Sequence, residues 1–367
     1  MLLSLHIDRV RNLGAVHCER LAQHNVLFGA NGSGKTSFLE AIHLLGTGRS
    51  FRSGSPRTLI SHGEQDFVVR GVSQQREQRP NAIALQRKLD GQLSVRVEGQ
   101  PTKSIARLAD ALPLLVINAQ SFDLLTGEPA NRRRFMDWGL FHVEQAARES
   151  RNRFQRALIQ RNQLLRRGKM SAIELDVWTQ DLAKQGEEVS RAREGFLKKL
   201  VEPFNQLLER LAPDLNKLDL RYRPGWDSSL SFLEALEKGR ASDVEQGFTH
   251  SGPQRADIRV QIDGYPAAET LSRGQQKLVV CALKLAQGQL LAGQNDGNVL
   301  CLVDDLPSEL DTEKTENVCR ALSELGVQSV ITCVDPSVIN VSWLCEPSEC
   351  RMFHVEHGGI EQVSASQ

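Results

Sequence analysis

The segment GANGSGKT at residues 29–36 restricts the fold of this chain more than any other stretch. It matches the pattern G-x-x-x-x-G-K-S/T and stands between a short apolar run, HNVLFG, and a helical run, SFLEAIHLLGTG. In such a loop, successive backbone N–H groups point at phosphate oxygens, and the N-terminus of the next helix adds partial positive charge. The pattern therefore predicts an α/β fold with a phosphate-binding loop at the end of a strand.

The side chains of this phosphate-binding loop have predictable roles toward a nucleotide. Lys35 neutralises the β- and γ-phosphates and so serves catalysis, and the hydroxyl of Thr36 is a ligand for Mg²⁺. The glycines allow the backbone to curl around the phosphates. The residues expected to contact the nucleotide are Gly29, Ala30, Asn31, Gly32, Ser33, Gly34, Lys35 and Thr36.

A magnesium site also needs a carboxylate at the end of a buried strand, and VLCLVDDLPSELD supplies two. The apolar residues 299–303 predict the strand, and Asp304 and Asp305 follow it directly. Asp304 is placed to hold the metal through water. Asp305 is placed to orient or deprotonate the water that attacks the γ-phosphate, and is the catalytic acid of this prediction. The alternative is that the two acids merely cap a loop.

A second polar segment with a glycine, LSRGQQK at residues 271–277, begins a helical run about 240 residues after the phosphate-binding loop. Ser272 can cap that helix, and Gly274 permits close backbone approach, so the segment can contact an anion. A simple helix cap is the alternative. A second anion site makes sense if it covers the γ-phosphate of a nucleotide bound to another copy. Two copies would then form a two-fold symmetric dimer around two nucleotides.

The order of the predicted elements indicates one α/β head interrupted by an insertion. Strand-rich sequence occupies both ends, and short alternating runs at 66–99 predict an antiparallel meander. Residues 128–210 are rich in Arg, Gln, Glu and Leu and predict an antiparallel pair of helices, the second of which Pro203 helps to end. We therefore expect head residues at 1–117 and 250–367, and a helical lobe or arm at 118–249.

The distribution of charge predicts a surface for a phosphate-rich partner such as a nucleic acid. The chain carries 45 basic and 45 acidic residues, so its net charge points to no partner. Residues 130–170, however, contain eleven basic residues and three acidic ones, a local excess typical of a phosphate-binding surface. Because aromatic residues make up only 5% of the chain, contact with a duplex backbone is favoured over base stacking. A solvated helix face with internal ion pairs is the alternative.

Composition also predicts a location. The seven cysteines form no C-x-x-C pair, and no apolar run approaches the roughly 18 residues that a membrane-spanning helix needs. The first residues carry no secretory signal pattern. We therefore expect a cytoplasmic protein with reduced thiols.

Several motifs taken together, GANGSGKT, ETLSRGQQK, VDDLPSELD, LLTGEPANRRRFMDWGLFH and HSGPQRADIRV, resemble the ABC-type ATPase heads of the SMC class. The closest resemblance is to the RecF family of bacterial DNA replication and repair proteins, and it covers nearly the whole chain. It implies an ABC-type head with a mixed or parallel sheet, an antiparallel meander and an inserted helical lobe. It further implies ATP and Mg²⁺ as cofactors, an ATP-dependent homodimer on gapped or junction DNA, and RecR and RecO as partners in loading RecA. Slow ATP hydrolysis would act as a timer.

The resemblance also assigns residues to the nucleotide bound by each copy. It places Lys35, Thr36 and Asp304 on the copy's own nucleotide and its magnesium. The residues that it places on the nucleotide of the opposite copy are Ser272, Arg273, Gly274 and Gln275. Asp311 stands at the position called the D-loop, and Gln120 stands near a position that contacts metal and water, although it can equally be a loop residue.

Other positions are open or depart from the resemblance. Arg11 and Asn12 stand where such heads contact the phosphates or the adenosine of the nucleotide. A purely structural role for both residues is the alternative. Gln254 stands where a histidine is expected, so a specific role there is in doubt. The stretch VITCVDP has no histidine where many such heads place the residue that contacts the γ-phosphate. The remaining alternatives for function are a transporter ATPase subunit and a small-molecule kinase with LSRGQQK as a mere cap.

Overall fold

The computed structural model describes residues 1–74, 79–167, 171–215, 218–294, 297–339 and 349–363. The chain divides into two compact units, the first Met1–Ser121 with Lys277–Gln367 and the second Phe122–Gln276. The first boundary lies near the expected division after residue 117, but the second lies well beyond the expected division after residue 249. Residues 250–276 group with the insertion because the strand Asp257–Ile262 pairs with a strand inside it, Asp219–Arg223.

The N-terminal part of the first unit contains an antiparallel sheet and the strand that leads into the phosphate-binding loop. Its elements are β1 (Leu2–Asp8), β2 (Ala15–Cys18), β3 (His24–Phe28), α1 (Lys35–Thr47), α2 (Pro56–Leu59), β4 (Asp66–Ser73), β5 (Asn81–Lys88), β6 (Leu93–Val97), β7 (Gln100–Thr102), α3 (Ala106–Ala111) and β8 (Leu114–Ile117). The sheet order is β2-β1-β4-β5-β6-β7. The meander predicted at 66–99 is confirmed as β4, β5 and β6. Alternate apolar residues, such as Phe67 and Val69, belong to one core with Phe38 and Ile42 of α1.

The second unit consists of helices and a small sheet. Its elements are α4 (Asp123–Thr126), α5 (Pro129–Val143), α6 (Gln145–Arg166), α7 (Ala172–Leu211), β9 (Asp219–Arg223), α8 (Phe232–Lys238), α9 (Arg240–Gln246), β10 (Asp257–Ile262), β11 (Tyr265–Pro266) and α10 (Ala267–Thr270). Ser150 of α6 contacts Glu188 of α7, while the later Arg161 contacts the earlier Thr179. The two helices are therefore antiparallel, which confirms the predicted pair. The sheet order is β11-β10-β9.

Helix α7 continues through Pro203 and ends at Leu211, so the prediction that Pro203 helps to end it is wrong. A proline inside a helix removes one backbone hydrogen bond and costs about 3 kcal/mol. The helix continues because its last turns bury a row of apolar side chains, each worth roughly 1.5–3 kcal/mol. The buried residues around the proline are Leu200, Phe204, Leu207, Leu208 and Leu211.

The C-terminal part of the first unit completes the sheet that positions the nucleotide site. Its elements are α11 (Arg273–Gln294, which begins in the second unit), β12 (Leu300–Val303), α12 (Leu306–Glu309), α13 (Thr312–Glu324), β13 (Gln328–Cys333), β14 (Cys350–Glu356) and β15 (Gly359–Val363). The sheet order is β15-β14-β3-β13-β12-β8, parallel except for the β14–β15 pair. Because β3, β13, β12 and β8 run in the same direction, the loops after them meet at one edge of the sheet.

None of the described helices is both long and apolar enough to cross a membrane. The six described cysteines are buried and unbridged, and Cys345 lies outside the described residues. Burial raises the pKa of Cys281, Cys301 and Cys333 to about 12, so these side chains are neutral thiols at physiological pH.

Candidate nucleotide site

The phosphate-binding loop follows β3 and has the backbone shape that its glycines allow. Gly32 and Gly34 have φ angles of 82° and 124°, in the region that favours glycine. A side chain at Gly34 would also meet Leu13 at 2.7 Å. Lys35 is 7% exposed, and its ammonium donates to the carbonyl oxygens of Gly29 (2.7 Å) and Ala30 (3.0 Å). The loop thus holds the lysine cation over its own backbone, as an anion site requires.

Asp304 lies beside Thr36, although 268 positions separate them in sequence. The Thr36 hydroxyl donates to Asp304 Oδ1 at 3.0 Å, and the Thr332 hydroxyl donates to the same oxygen at 2.9 Å. The Asp304 N–H donates to the carbonyl of Ile117 at the end of β8. Burial raises the pKa of Asp304 above the ordinary carboxyl value, and the bonds from Thr332 and Thr36 oppose that rise. The hydroxyl and the carboxylate that the sequence predicts as metal ligands therefore lie within hydrogen-bonding distance of each other.

The oxygen atoms of Thr36 and Asp304 suit magnesium, which prefers hard oxygen ligands. Among the described residues, no group of three or more His, Cys, Asp or Glu side chains could hold a metal by themselves. A site with so few protein ligands fits Mg²⁺ because this ion keeps several waters and takes further ligands from the phosphates of a nucleotide. The residues present therefore fit the predicted cofactor.

Asp305 begins α12 in a left-handed conformation, with φ 49° and ψ 46°. Such a conformation costs a non-glycine residue roughly 1–2 kcal/mol. The Thr332 hydroxyl accepts a hydrogen bond of 2.9 Å from the Asp305 N–H while donating to Asp304. One hydroxyl thus fixes both members of the acidic pair. Sequence reasoning missed Thr332, and its only signal is its place near the end of β13, next to β12.

A cavity of about 550 Å³ lies between the phosphate-binding loop and the acidic pair, within the first unit. Its lining includes the loop residues Asn31, Gly32, Gly34, Lys35 and Thr36, together with Arg11, Asn12, Arg52, Asp304 and Asp305. The volume is within the range of ligand pockets in proteins. Both residues whose role the sequence left open, Arg11 and Asn12, therefore line the cavity.

Arg11 and Asn12 also hold the site together. Arg11 donates from Nε and Nη2 to the two carboxylate oxygens of Glu40, at 2.7 and 2.8 Å, and Glu40 is completely buried on α1. Asn12 accepts from the Ser37 hydroxyl at 2.7 Å and donates to the Gly32 carbonyl at 3.0 Å. These contacts fix the β1–β2 turn to the phosphate-binding loop and α1. The structural interpretation thus holds for both residues, and contact with nucleotide remains a prediction.

Arg52 is a lining residue that sequence reasoning missed. Its guanidinium lies 3.7 Å from Glu40, its side chain is 43% exposed, and its charge lowers the pKa of Asp304. Arg11 is committed to Glu40 by two short bonds, whereas Arg52 makes only this longer contact with it. Arg52 is therefore the better placed cation to reach a phosphate in the cavity. It precedes α2, and the sequence alone assigned it no role.

The segment at 271–275, here called the signature loop, begins α11 within the second unit. The Ser272 hydroxyl accepts a bond from the Gln275 N–H (3.3 Å), and the Gln275 side chain accepts one from the Ser272 N–H (2.9 Å). This reciprocal pair is a capping box, so the helix-cap interpretation of Ser272 holds. It leaves the hydroxyl hydrogen of Ser272 available to donate to an anion. Contact of Arg273 and Gly274 with a nucleotide stays a prediction.

Asp311 and Gln120 lie outside the lining of the cavity. Asp311 caps α13 by accepting a bond from the Lys314 N–H at 3.0 Å, and bonds from Lys314 lower the pKa of its carboxyl. Gln120 is exposed in a short turn after β8 and does not line the cavity. β8 nevertheless pairs with β12 through Ile117 and Val303. Neither residue lines the cavity, and their contacts with nucleotide and metal stay predictions.

The basic run at 130–170 does not form one continuous cationic surface. Arg132 bonds to Asp257 (2.7 Å), Arg151 contacts Asp137 (3.2 Å), and Arg161 is buried against Asp243 (2.8 Å). The exposed arginines of this run are Arg134, Arg153, Arg156, Arg166 and Arg167. Lys169 lies outside the described residues. Acids from distant parts of the sequence thus neutralise part of the excess that the local count suggested.

Comparison with known proteins places this site in a family context. The family model described as "RecF/RecN/SMC N terminal domain" matches residues 1–359. A Marinomonas protein named "DNA replication and repair protein RecF" is 44% identical over 363 residues, which are 99% of this chain and 98% of that protein.

Two solved structures extend the likeness to the fold. One, described as the recombination mediator protein RecF-ATPrS in the RecFOR pathway, has a TM-score of 0.86 at 25% identity and covers 99% of this chain and 98% of its own. An Smc head bound to the C-winged helix domain of ScpA has a TM-score of 0.59 at 14% identity, over 100% and 98%. These likenesses confirm the predicted fold class, an α/β head of the ABC-type ATPases with an inserted helical lobe.

Proposed function

Because the chain belongs to the RecF family of DNA replication and repair proteins, we propose that it is an ATPase that forms a homodimer around ATP and binds DNA in that state. The contact between Thr36 and Asp304 beside Lys35 carries the proposal, since it joins the phosphate-binding loop to the acidic pair in one cavity. A transporter subunit and a small-molecule kinase, the alternatives left open by the sequence, are not favoured by any feature of this site.

The residues of the cavity have distinct roles in ATP hydrolysis. The phosphate-binding loop, Gly29 to Thr36, holds the β- and γ-phosphates, and Lys35 neutralises their charge. Thr36 and Asp304 hold Mg²⁺, which when bound stabilises the charge that develops on the phosphates. Asp305 orients or deprotonates the attacking water. Its side chain is shorter than a glutamate, so we expect slow hydrolysis, which suits a timer.

The signature loop acts on the ATP of the opposite copy. Ser272 donates its remaining hydroxyl hydrogen to the γ-phosphate, while Arg273, Gly274 and Gln275 surround that phosphate with the N-terminus of α11. Asp311 approaches the same nucleotide from the D-loop, and Gln120 contacts its own copy's metal and water when the dimer closes. Since the γ-phosphate then contacts both copies, ATP binding favours the dimer. Hydrolysis removes this contact and allows the two copies to separate.

DNA is bound through its phosphates, at duplex and at gapped or junction structures. The exposed Arg156 and Arg166 of α6, and Arg167 directly after it, support this proposal because no ion pair with a described acid neutralises them. The RecFOR pathway named for a similar solved structure supports RecR and RecO as the partners in cytoplasmic repair, with loading of RecA as the result.

Sedimentation velocity tests this function directly. The protein is run with Mg²⁺ and either ATP or ADP, with and without gapped DNA, beside Lys35→Ala as a control. We expect a dimer with ATP, a monomer with ADP, a larger complex with gapped DNA and ATP, and a monomer for Lys35→Ala in every condition. A wild-type protein that hydrolyses ATP as a monomer, at a specific activity independent of protein concentration, would contradict the proposal.

A further inference from the structure

Lys277, the last residue of the motif LSRGQQK, has no role in the function proposed above. It belongs to the part of α11 that lies in the first unit, together with α12 and the acidic pair. Its ammonium donates to the backbone carbonyl of Glu309 at 2.7 Å and lies 2.6 Å from Oε2 of the Glu309 side chain. One cation therefore holds a single residue of another helix at two points.

This contact lies at the end of the short helix that begins at the acid proposed for catalysis. α12 comprises Leu306–Glu309, and Asp305 is its N-cap. The last carbonyls of a helix have no partner inside the helix, and a lysine from elsewhere can satisfy them. Lys277 does so for Glu309. The two side chains are only 27% and 25% exposed, so the pair is shielded from water more than a typical surface ion pair.

α12 is a single turn, so a shift at its end reaches its start. The N–H and the hydroxyl of Ser308 both donate to the carbonyl of Asp305, at 3.1 and 2.8 Å. The Leu310 N–H donates to the carbonyl of Leu306 at 3.1 Å, which closes the turn. The backbone between Asp305 and Glu309 is thus connected at every step.

The start of this turn is strained and must be held in place. Asp305 has the left-handed backbone described above, and such strain persists only where the surroundings fix the residue. The Thr332 hydroxyl holds the start of the turn through the Asp305 N–H. Lys277 holds its end. If the contact at the end is lost, the turn can relax and Asp305 can leave the conformation that places it at the cavity.

Two buried leucines, Leu306 and Leu310, also anchor this segment. Apolar contacts are not directional, so the leucines keep the segment against the core without fixing its rotation. The polar contacts from Lys277 and Thr332 supply the direction, because hydrogen bonds depend on angle as well as distance.

We propose that Lys277 is a positioning residue for ATP hydrolysis, which through Glu309 and α12 keeps Asp305 of its own copy in place. The inference rests on the proposed function, in which Asp305 acts on the attacking water. It assigns Lys277 to the nucleotide of its own copy, whereas Ser272, at the start of the same helix, belongs to the nucleotide of the opposite copy. The motif LSRGQQK thus serves two nucleotide sites.

Lys277→Met tests the proposal, because methionine keeps most of the length of the side chain but removes the ammonium. We expect kcat to fall by roughly tenfold or more, since a small displacement of a catalytic group has an effect of this size. ATP binding to the monomer, ATP-dependent dimerisation and KM should not change. Lys277→Arg keeps a cation that can donate to both oxygens and should retain most of the turnover.

Two further variants complete this comparison. Glu309→Gln weakens the same contact from the other side and should slow turnover in the same direction. Arg320→Met removes the ion pair of Arg320 with Glu316 on α13, in the same unit, and should have no effect. Loss of monomer ATP binding in both Lys277→Met and Glu309→Gln would show that the pair only stabilises the fold, and would overturn the proposal.

Heterodimers decide which nucleotide site Lys277 serves. A limiting copy with intact Asp305 is mixed with a large excess of an Asp305→Asn copy, so that only the limiting copy of each heterodimer hydrolyses ATP. Lys277→Met is placed first in the limiting copy and then in the Asp305→Asn copy. Relative to the heterodimer with Lys277 intact in both copies, we expect hydrolysis to be slower by roughly tenfold or more in the first case and unchanged in the second.

Slow hydrolysis only in the second case would overturn the proposal and assign Lys277 to the signature loop. Equal rates in the two cases, whether slow or normal, would also overturn it. Each of these outcomes leaves the proposed function intact, because the heterodimer with Lys277 intact still forms and hydrolyses ATP. If that reference heterodimer does not form with ATP, the proposed function fails and this inference fails with it.

Discussion

The hydroxyl of Thr332 lies 2.9 Å from Asp304 Oδ1 and joins the carboxylate proposed to hold magnesium to the strand next to it. The same hydroxyl accepts a bond from the N–H of Asp305. A single side chain on β13 thus orients together the acid proposed to bind metal and the acid proposed for catalysis. This relationship explains how an acidic residue with a left-handed backbone is kept in place beside the cavity.

Thr332→Val, which keeps the shape of the side chain but removes its hydroxyl, should slow ATP hydrolysis by roughly tenfold or more. The change leaves the Asp305 N–H unpaired and should also lower the free energy of unfolding by about 1–3 kcal/mol. Steady-state turnover and urea unfolding measure the two effects. Thr332→Ser keeps the hydroxyl and is the matched control. Equal turnover in the valine and serine variants would show that the hydroxyl does not position the acids.

Asp305→Asn should trap the ATP-bound dimer. Asparagine is similar in size but cannot accept a proton from the attacking water, while the γ-phosphate still joins the two copies. Dimer lifetime is measured by mixing donor-labelled and acceptor-labelled dimers and following energy transfer after dilution into ATP. We expect the lifetime to increase at least tenfold, and an unchanged lifetime would count against Asp305 as the base.

Ser272→Asp separates the two interpretations of the signature loop. Aspartate caps helices as well as serine does, so α11 keeps its start and the free energy of unfolding should change by less than about 0.5 kcal/mol. Aspartate, however, has no hydrogen to donate and repels a γ-phosphate. We expect ATP binding to the monomer to remain near normal while ATP-dependent dimerisation and hydrolysis are lost, as measured by filter binding and light scattering.

If Ser272 is only a helix cap, Ser272→Asp would form dimers like the wild type. Ser272→Arg should block the dimer in the same way but also lose the cap, which costs about 1 kcal/mol. Loss of monomer ATP binding in Ser272→Asp would contradict contact with the opposite copy.

The parts of the site predicted from sequence are those whose residues follow one another along the chain. The phosphate-binding loop, the pair Asp304–Asp305 and the cap Ser272 each depend on a local pattern, and each is placed as expected. Thr332 and Glu40 could not be predicted, because their roles depend on which strands and turns become neighbours. Arg11 and Glu40 are 29 positions apart, and no sequence pattern links the two residues.

The same limit explains the two wrong or incomplete expectations in the second unit. Pro203 lies inside α7 because burial of neighbouring apolar residues outweighs a local penalty. The basic excess at 130–170 was counted against local acids, yet Arg132 pairs with Asp257, 125 positions away. Local counting is reliable for intrahelical pairs, but it misses acids that tertiary structure brings in.

Arg161→Met should destabilise the protein strongly, by about 3–5 kcal/mol, because Arg161 is completely buried and Asp243 would lose its cationic partner. Arg161 also donates to the hydroxyls of Thr179 and Thr249. Chemical unfolding measures the loss. Arg156→Met, at an exposed residue on the same helix, should change stability by less than about 0.5 kcal/mol. Similar stabilities of the two variants would show that the buried pair does not hold the second unit together.

The exposed arginines in α6 and directly after it should carry part of the salt dependence of DNA binding. Each phosphate contact contributes about −0.9 to the slope of log K against log salt concentration, because counterions are released on binding. Arg156, Arg166 and Arg167, replaced together by glutamine, should therefore reduce the slope by up to about 2.7 if all three contact phosphates. The slope is measured by anisotropy on gapped DNA with ATP at several salt concentrations. Arg132→Gln is the internal comparison, since Arg132 is committed to Asp257. An unchanged slope in the triple variant would place the DNA contact elsewhere on the protein.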